Sequence, residues 1–266
     1  MRPASRRLTE GDGGWLDPGD LVCHVLLVET ARDGLILVDT GFGTRDVASR
    51  SLPWAFLAMA GVALDATETA IARVRALGFD PRDVRHVVPT HLDLDHAGGL
   101  PDFPWATVHA NAREHAAAMR RAGKDAVRYR PEHWAHGPRW ELYGDEGDAW
   151  FGLRAVPLRG VKSEIALVPL RGHSAGHCGV AVRSGDGWLL HAGDAYASRH
   201  EVRSDPPFCP IGHAAFHAAI SVDRGARRGA IASLRRLARK VDLFCAHDAL
   251  EFRGAGIPER SRLTRG

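Results

Sequence analysis

The chain predicts a single domain, residues 1–266, that mixes α-helices with β-strands (α+β), on three observations. Short apolar, often β-branched runs recur at 84–89, 165–170, 179–191 and 241–245 and read as strands. Between them lie helical patterns at 65–77, 112–122, 212–220 and 225–240. No Pro- or Ser-rich linker and no short-period repeat divides the 266 residues, and 45% hydrophobic content is enough for a substantial core.

Taken in order, Leu21–Thr30 and Gly34–Thr40 form a hairpin around the turn 31–34. Asp39-Thr40-Gly41 follows, either an ordinary turn or a wall that orients a metal ligand through Asp39. The apolar stretch 52–64 is a packed segment under a loop, a hydrophobic lid over the substrate, or a dimer contact. Helix 65–77 is capped by Asp65 or Thr67, carries Ile71, Val74 and Leu77 on one face, and closes at Gly78. A strand at 84–89 precedes a polar loop, then comes a strand at 107–111 and a helix at 112–122. Residues 124–150, rich in Trp and Tyr, lack clean periodicity and read as an irregular insertion or a pocket lining; His133 and His136 receive no role. In helix 225–240 the apolar stripe is Ile231, Leu234, Leu237 and Val241, and Arg227, Arg228, Arg235 and Arg236 read as a solvated face.

The chemistry concentrates at 90–100. His91, Asp93, Asp95 and His96 place four imidazole or carboxylate groups within six positions, a donor set that suits zinc, iron or manganese. In an extended segment residues i, i+2 and i+4 project the same way, so His91, Asp93 and Asp95 converge while His96 turns across to share an ion with Asp95. Apolar Leu92 and Leu94 alternate with the ligands, which a solvated run seldom does. His or Asp recurs at three more strand ends, at His173, Asp194 and His247.

Other function classes are narrowed by composition. A formal net charge of +3 is near balance and argues neither for nor against nucleic acid. No apolar run reaches the roughly 20 residues that span a bilayer, and no signal peptide is visible. Cys23, Cys178, Cys209 and Cys245 are scattered without a CxxC pair, which suits buried thiols in a reducing compartment and a cytoplasmic protein.

In these motifs the sequence resembles the metallo-β-lactamase superfamily. His91-Leu-Asp93-Leu-Asp95-His96 matches the His-x-His-x-Asp-His motif; 172–177 matches Gly-His-(Ser/Thr)-x-Gly-His; Gly193-Asp194 and His247 match the remaining two. The resemblance implies a four-layer αββα sandwich with a two-metal site along one edge. It also implies that metal one takes His91, Asp93 and His173, that metal two takes Asp95, His96 and His247, and that Asp194 bridges them. His177 and His191 are then structural. The ions would be Zn²⁺ first, with Mn²⁺ or Fe²⁺ admitted by Asp93, which stands where most of the family has His. Three carboxylates and a bridging hydroxide would balance two divalent ions, whereas His at 93 would leave one positive charge. The expectation is a weaker Lewis acid and a greater share for Mn²⁺ or Fe²⁺.

The function implied is hydrolysis of an ester, lactone or thioester by the metal-bridging hydroxide, with lactones slightly ahead. Asp95 would shuttle the proton to the leaving alkoxide, and Tyr196 would donate to the carbonyl oxygen, as a tyrosine near this place does in the quorum-quenching lactonases. Packing is the other reading of Tyr196. The partner expected is a small molecule, with no nucleic acid and no membrane, and 52–64 offers a homodimer contact. Specificity would lie in a lid at 44–64 and an insertion at 112–150. The alternatives are an iron-dependent redox enzyme, such as a persulfide-dioxygenase-like protein, and a non-catalytic metal-binding module.

Overall fold

The computed structural model describes residues 1–50, 52–123 and 125–254, and of Ala55 only the backbone. Two sheets form. The first runs β1 (Leu26–Glu29), β2 (Leu35–Val38), β3 (Val84–Val88), β4 (Thr107–Asn111) and β5 (Arg139–Tyr143), antiparallel at β1–β2 and parallel thereafter. The second holds β6 (Asp148–Trp150), β7 (Leu153–Pro157), β8 (Ile165–Pro169), β9 (Cys178–Ser184), β10 (Gly187–His191) and β11 (Asp242–Phe244) side by side. Its neighbours are antiparallel except for the parallel pair β10–β11.

Strand alternation builds four layers from these two sheets. In β2, Ile36 and Val38 meet Ile165 and Leu167 of β8 and Val180 and Val182 of β9 in a core between the sheets. Their neighbours Leu35 and Leu37 point the other way, onto Ile71 and Val74 of helix Ala70–Ala76 and Ala117 and Ala118 of helix Ala112–Arg120. In β8 the opposite set, Ala166 and Val168, packs outward on Leu234 and Leu237 of helix Arg224–Leu237. Successive strand residues thus feed two cores, and each sheet is buried on both faces. The result is the αββα sandwich.

Several boundaries move. Residues 65–77 split into a 3₁₀ turn, Ala66–Glu68, capped by Asp65, and a helix that starts only at Ala70, because Thr69 is extended (φ −64°, ψ 146°). The insertion 112–150 is more ordered than expected, since it supplies β5 to the first sheet and β6 to the second. The basic helix face is only partly solvated: Arg227 is buried and pairs with Glu201 at 3.0 Å, and Arg235 donates to the carbonyls of Glu201 and Ser204.

The fold brings strand ends of both sheets to one edge. β2, β3, β10 and β11 all deliver their C-terminal ends there, and the β8–β9 connection lies at the same end. A backbone bond joins the two sheets at this edge, with Cys178 N donating to Thr90 O (2.9 Å), and a bond from Ala246 N to Gly193 O (3.0 Å) ties the segments that leave β11 and β10.

Candidate metal centre

The segment after β3 turns as soon as the strand ends. His96 N and Ala97 N both donate to Asp93 O at 3.0 Å, which closes a helical turn and swings His96 back beside His91. Gly98 permits this turn to press against the Asp39 loop, since a Cβ there would lie 2.7 Å from Gly41 O and 3.0 Å from Gly43 N.

All seven predicted ligand residues converge at this edge. Asp93 Oδ2 lies 3.4 Å from His91 Nε2 and 3.1 Å from His173 Nε2. On the other side His247 Nε2 is 3.6 Å from Asp95 Oδ2, and His96 Nε2 is 3.9 Å from Asp95 Oδ1. Asp194 divides its oxygens between the two groups. Its Oδ1 faces His247 Nε2 at 3.2 Å and His96 Nε2 at 3.4 Å, and its Oδ2 faces His173 Nε2 at 3.5 Å and His91 Nε2 at 3.9 Å. A carboxylate placed in this way has one oxygen for each of two ions.

A second ring of contacts aims the imidazoles. Asp39 accepts from His96 Nδ1 (2.9 Å) and from Thr90 N (2.7 Å), so the Asp39 loop is a wall that orients a candidate ligand. His91 Nδ1 pairs with Thr90 Oγ1 (3.0 Å), and His247 Nδ1 donates to Val22 O (2.7 Å). In all three rings the outer nitrogen is engaged and Nε2 is left for the centre. His177 and His191 are structural, as expected. His177 donates from Nδ1 to Leu170 O and accepts at Nε2 from Asp194 N; His191 pairs with His24 O and accepts from Gly193 N.

The electrostatics favour cations. Burial drives His91 and His173 well below the usual imidazole range, which favours the neutral ring that metal binding requires. Burial also opposes charge on His96 and His247, but Asp194 and its carboxylate neighbours outweigh it and raise both well above that range. Asp194 is held well below the usual carboxylate range against its own burial, chiefly by His247 and His96.

This donor set fits a pair of divalent ions. His91 Nε2, His96 Nε2 and Asp194 Oδ1 are buried with no hydrogen-bond partner among the described residues, so a bound cation is the partner that would satisfy them. The ligand atoms of His91, Asp93 and His173 lie within 4.8 Å of one another, as do those of His91, His96 and Asp194 and those of Cys23, Asp95 and His247. Chelation is therefore expected to lower Tm by on the order of 10 °C and Zn²⁺ to restore it, because bound ion stabilises only the folded chain. An unchanged Tm with the metal demonstrably stripped would contradict this.

The Metallo-beta-lactamase superfamily pattern matches residues 18–246. The chain belongs to that superfamily. It is similar to a probable metallo-hydrolase of Mycobacterium tuberculosis, 40% identical over 235 residues, which cover 86% of this chain and 75% of that protein. An N-acyl homoserine lactonase of Azorhizobium caulinodans is 34% identical over 119 residues, 44% of this chain and 42% of the lactonase. The solved structure of an N-acyl homoserine lactone hydrolase, with N-hexanoyl-L-homoserine bound at its catalytic metal centre, superposes with a TM-score of 0.68. It is 20% identical and covers 97% of this chain and 93% of its own, a likeness of fold.

One residue carried over from the superfamily is corrected. Tyr196 is fully buried, packs with Leu234 and Leu243 in the outer core of the second sheet, and donates its hydroxyl to Glu251 (3.0 and 3.2 Å). It does not line the cleft at the centre. The packing reading of Tyr196 is the one the structure carries.

Five residues at or around the centre escaped the sequence analysis. Glu114 accepts from Leu92 N, Gly176 N, Ser174 Oγ and Tyr129 Oη, tying together the two ligand-bearing loops. Arg128 pairs with Asp93 at 3.3 Å. Cys23 stands beside Asp95 and His247. On helix Ile211–Ile220, His213 and His217 line the cleft, and His213 Nε2 and both ring nitrogens of His217 lack a partner among the described residues. Their spacing of four was the available signal, since it sets both rings on one helix face.

Proposed function

We propose that this metal-dependent hydrolase opens the ring of a lactone that carries an apolar acyl tail. The observation that carries the reading is a cleft of about 250 Å³ that opens onto Asp95, Asp194 and His247 and is otherwise walled mainly by apolar side chains. Leu8, Leu21, Phe56, Met59 and Phe216 supply that wall. An apolar pocket with a few convergent polar groups is the usual form of a small-molecule site. The lactonase names among the similar proteins support the same substrate class.

His91, Asp93 and His173 would hold one ion and Asp95, His96 and His247 the other, with Asp194 between them; zinc is the first choice. Bound there, the ions would polarise the ester carbonyl and lower the pKa of a water that attacks it. Attack at the carbonyl carbon breaks the ring C–O bond and leaves a carboxylate and an alkoxide. Asp95, which lines the cleft, would take one proton from the attacking water and pass it to that alkoxide oxygen, while the second is released as the acid ionises, so the product is the hydroxy acid as its carboxylate. His213 takes over the donor role first assigned to Tyr196. Burial lowers its pKa to about 4, so the neutral ring can offer one N–H to a carbonyl or amide oxygen of the substrate.

Helix Trp54–Ala60 is the lid in this reading, since Phe56 and Met59 face the cleft. The single-domain reading is supported by the superfamily match across 18–246. Trp54, 81% exposed on the same helix, is the side chain a second copy would cover in a homodimer. Among the described residues no helix is long and apolar enough to cross a membrane. Four free cysteines support a reducing, cytoplasmic setting.

Proton release from a panel tests the proposal, with zinc-loaded protein given an acyl-homoserine lactone, an untailed γ-lactone, an aryl ester and a glutathione thioester. The tailed lactone is expected to turn over with kcat/KM above roughly 10⁴ M⁻¹s⁻¹ and the untailed one far more slowly. Equal rates would remove the role of the apolar wall. Silence across the panel with metal bound would redirect the function to phosphodiesters or to iron-dependent sulfur chemistry.

A further inference from the structure

Asp93 makes this centre richer in carboxylate than the usual superfamily site, but the structure supplies a countercharge. Arg128 ends the short helix Asp125–Arg128 of the insertion and is 8% exposed. Its Nε lies 3.3 Å from Asp93 Oδ1, while Asp93 Oδ2 is the oxygen turned towards His91 and His173. The guanidinium is fixed by two further bonds, Nη1 to His173 O (3.0 Å) and Nη2 to Ile220 O (3.1 Å). One side chain therefore holds a candidate ligand by charge, a second by its backbone, and the end of the helix that carries His213 and His217.

We propose that Arg128 and Asp93 act as one unit that replaces a neutral histidine ligand of metal one. Asp93 adds a negative charge to the ligand set and Arg128 removes it again, so the centre keeps the net charge it would have with His at 93. Arg128 Nε also stands as an ion pair beside Asp93 Oδ1, the oxygen turned away from His91 and His173. Arg128 is a positioning residue: it acts through Asp93, the candidate ligand beside which its guanidinium stands. This revises the expectation from Asp93 alone of a weaker Lewis acid that shifts towards Mn²⁺ or Fe²⁺, because the compensating cation comes from 35 residues further along the chain. The proposal rests on the reading of Asp93 as a ligand.

The test is a double-mutant cycle read by metal binding. Zn²⁺ and Mn²⁺ affinities would be measured by competition with a chromophoric chelator, and coordination by the visible absorption of the Co²⁺-loaded protein. Arg128→Met is expected to cut the Zn²⁺-over-Mn²⁺ preference by at least about tenfold, since it leaves the carboxylate uncompensated. Asp93→His alone should weaken Zn²⁺ by a similar factor of about ten, because a buried guanidinium then faces an imidazole and a cation. Combining the two should restore the Zn²⁺-over-Mn²⁺ preference lost in Arg128→Met, as well as the Zn²⁺ affinity lost in Asp93→His, each to within about threefold of the parent. Additive effects, or a Co²⁺ spectrum and metal preference unmoved by Arg128→Met, would overturn the unit.

Arg128→Lys separates charge from scaffolding and serves if the methionine variant does not fold. It keeps the charge and loses the forked hydrogen bonds, so the metal preference should survive while Tm falls. A preference lost as fully as in Arg128→Met would make Arg128 merely structural and overturn the proposal. Asp93→Ala tests the ligand reading separately: two ions still bound at parent affinity would remove Asp93 from the ligand set, and the Arg128 proposal with it.

Discussion

Asp194→Asn is expected to lower kcat/KM by on the order of 10³, with metal content falling from two ions per chain towards one, because breaking a buried charge pair by removing one partner costs about 3–5 kcal/mol. Both oxygens of Asp194 are in use. Oδ1 faces His247 and His96, and Oδ2 faces His173 and His91, at 3.2–3.9 Å. An amide keeps the shape but turns an NH₂ towards one of the two pairs of Nε2 atoms and brings no charge to either ion. Nor can the backbone shift to save one side, because Asp194 N is pinned to His177 Nε2 at 2.9 Å. Metal analysis and turnover of the best substrate in the panel provide the check. A variant that retains two ions and parental kcat/KM would take Asp194 out of the bridge. The fold itself should survive, since the backbone bond to His177 does not involve the carboxylate.

The contrast between Asp194 and Tyr196 shows where the sequence was legible. Candidate ligand residues that follow strands at one edge, His91 to His96, His173, Asp194 and His247, are visible because each position is announced locally by an apolar run and a small residue. Tyr196 stands only two positions beyond Asp194, yet the chain has left the strand and the side chain turns into the outer core. Proximity in sequence says little once a loop has changed direction. Glu114 and Arg128 were invisible for the opposite reason. Their partners lie far away, 62 residues for Glu114 to Gly176 and 45 for Arg128 to His173, and no short motif marks either. β5 was missed because Arg139-Trp-Glu-Leu-Tyr143 is an edge strand and only Tyr143 is fully buried, so its apolar pattern is blunted. Strands buried on both faces, such as β2 and β8, were plain.

Glu114→Ala is expected to cost roughly 3–5 kcal/mol of stability and to release metal one before metal two, since it orphans several buried donors at once. Leu92 N (3.1 Å) and Tyr129 Oη (2.9 Å) share Oε1, while Gly176 N (2.8 Å) and Ser174 Oγ (2.6 Å) share Oε2. Leu92 lies between His91 and Asp93, and Gly176 follows His173 closely, so this carboxylate ties together the stretches that carry the three residues proposed to hold metal one and makes no bond next to Asp95, His96 or His247. Burial raises its pKa, with the nearby Asp93 charge adding to the shift, and the donors from Ser174, Leu92 and Gly176 work against it. Glu114→Gln sharpens the test. The two hydroxyls can reverse and accept, but the two backbone N–H groups cannot, so either orientation of the amide sets its NH₂ against one of them. The loss should then be about 1–3 kcal/mol, the cost of one unsatisfied buried donor. Denaturant titration of the metal-free variants measures both numbers, and Co²⁺ titration shows which ion is weakened. A glutamine variant as unstable as the alanine one would mean that the charge, and not the pattern of acceptors, holds the two loops together.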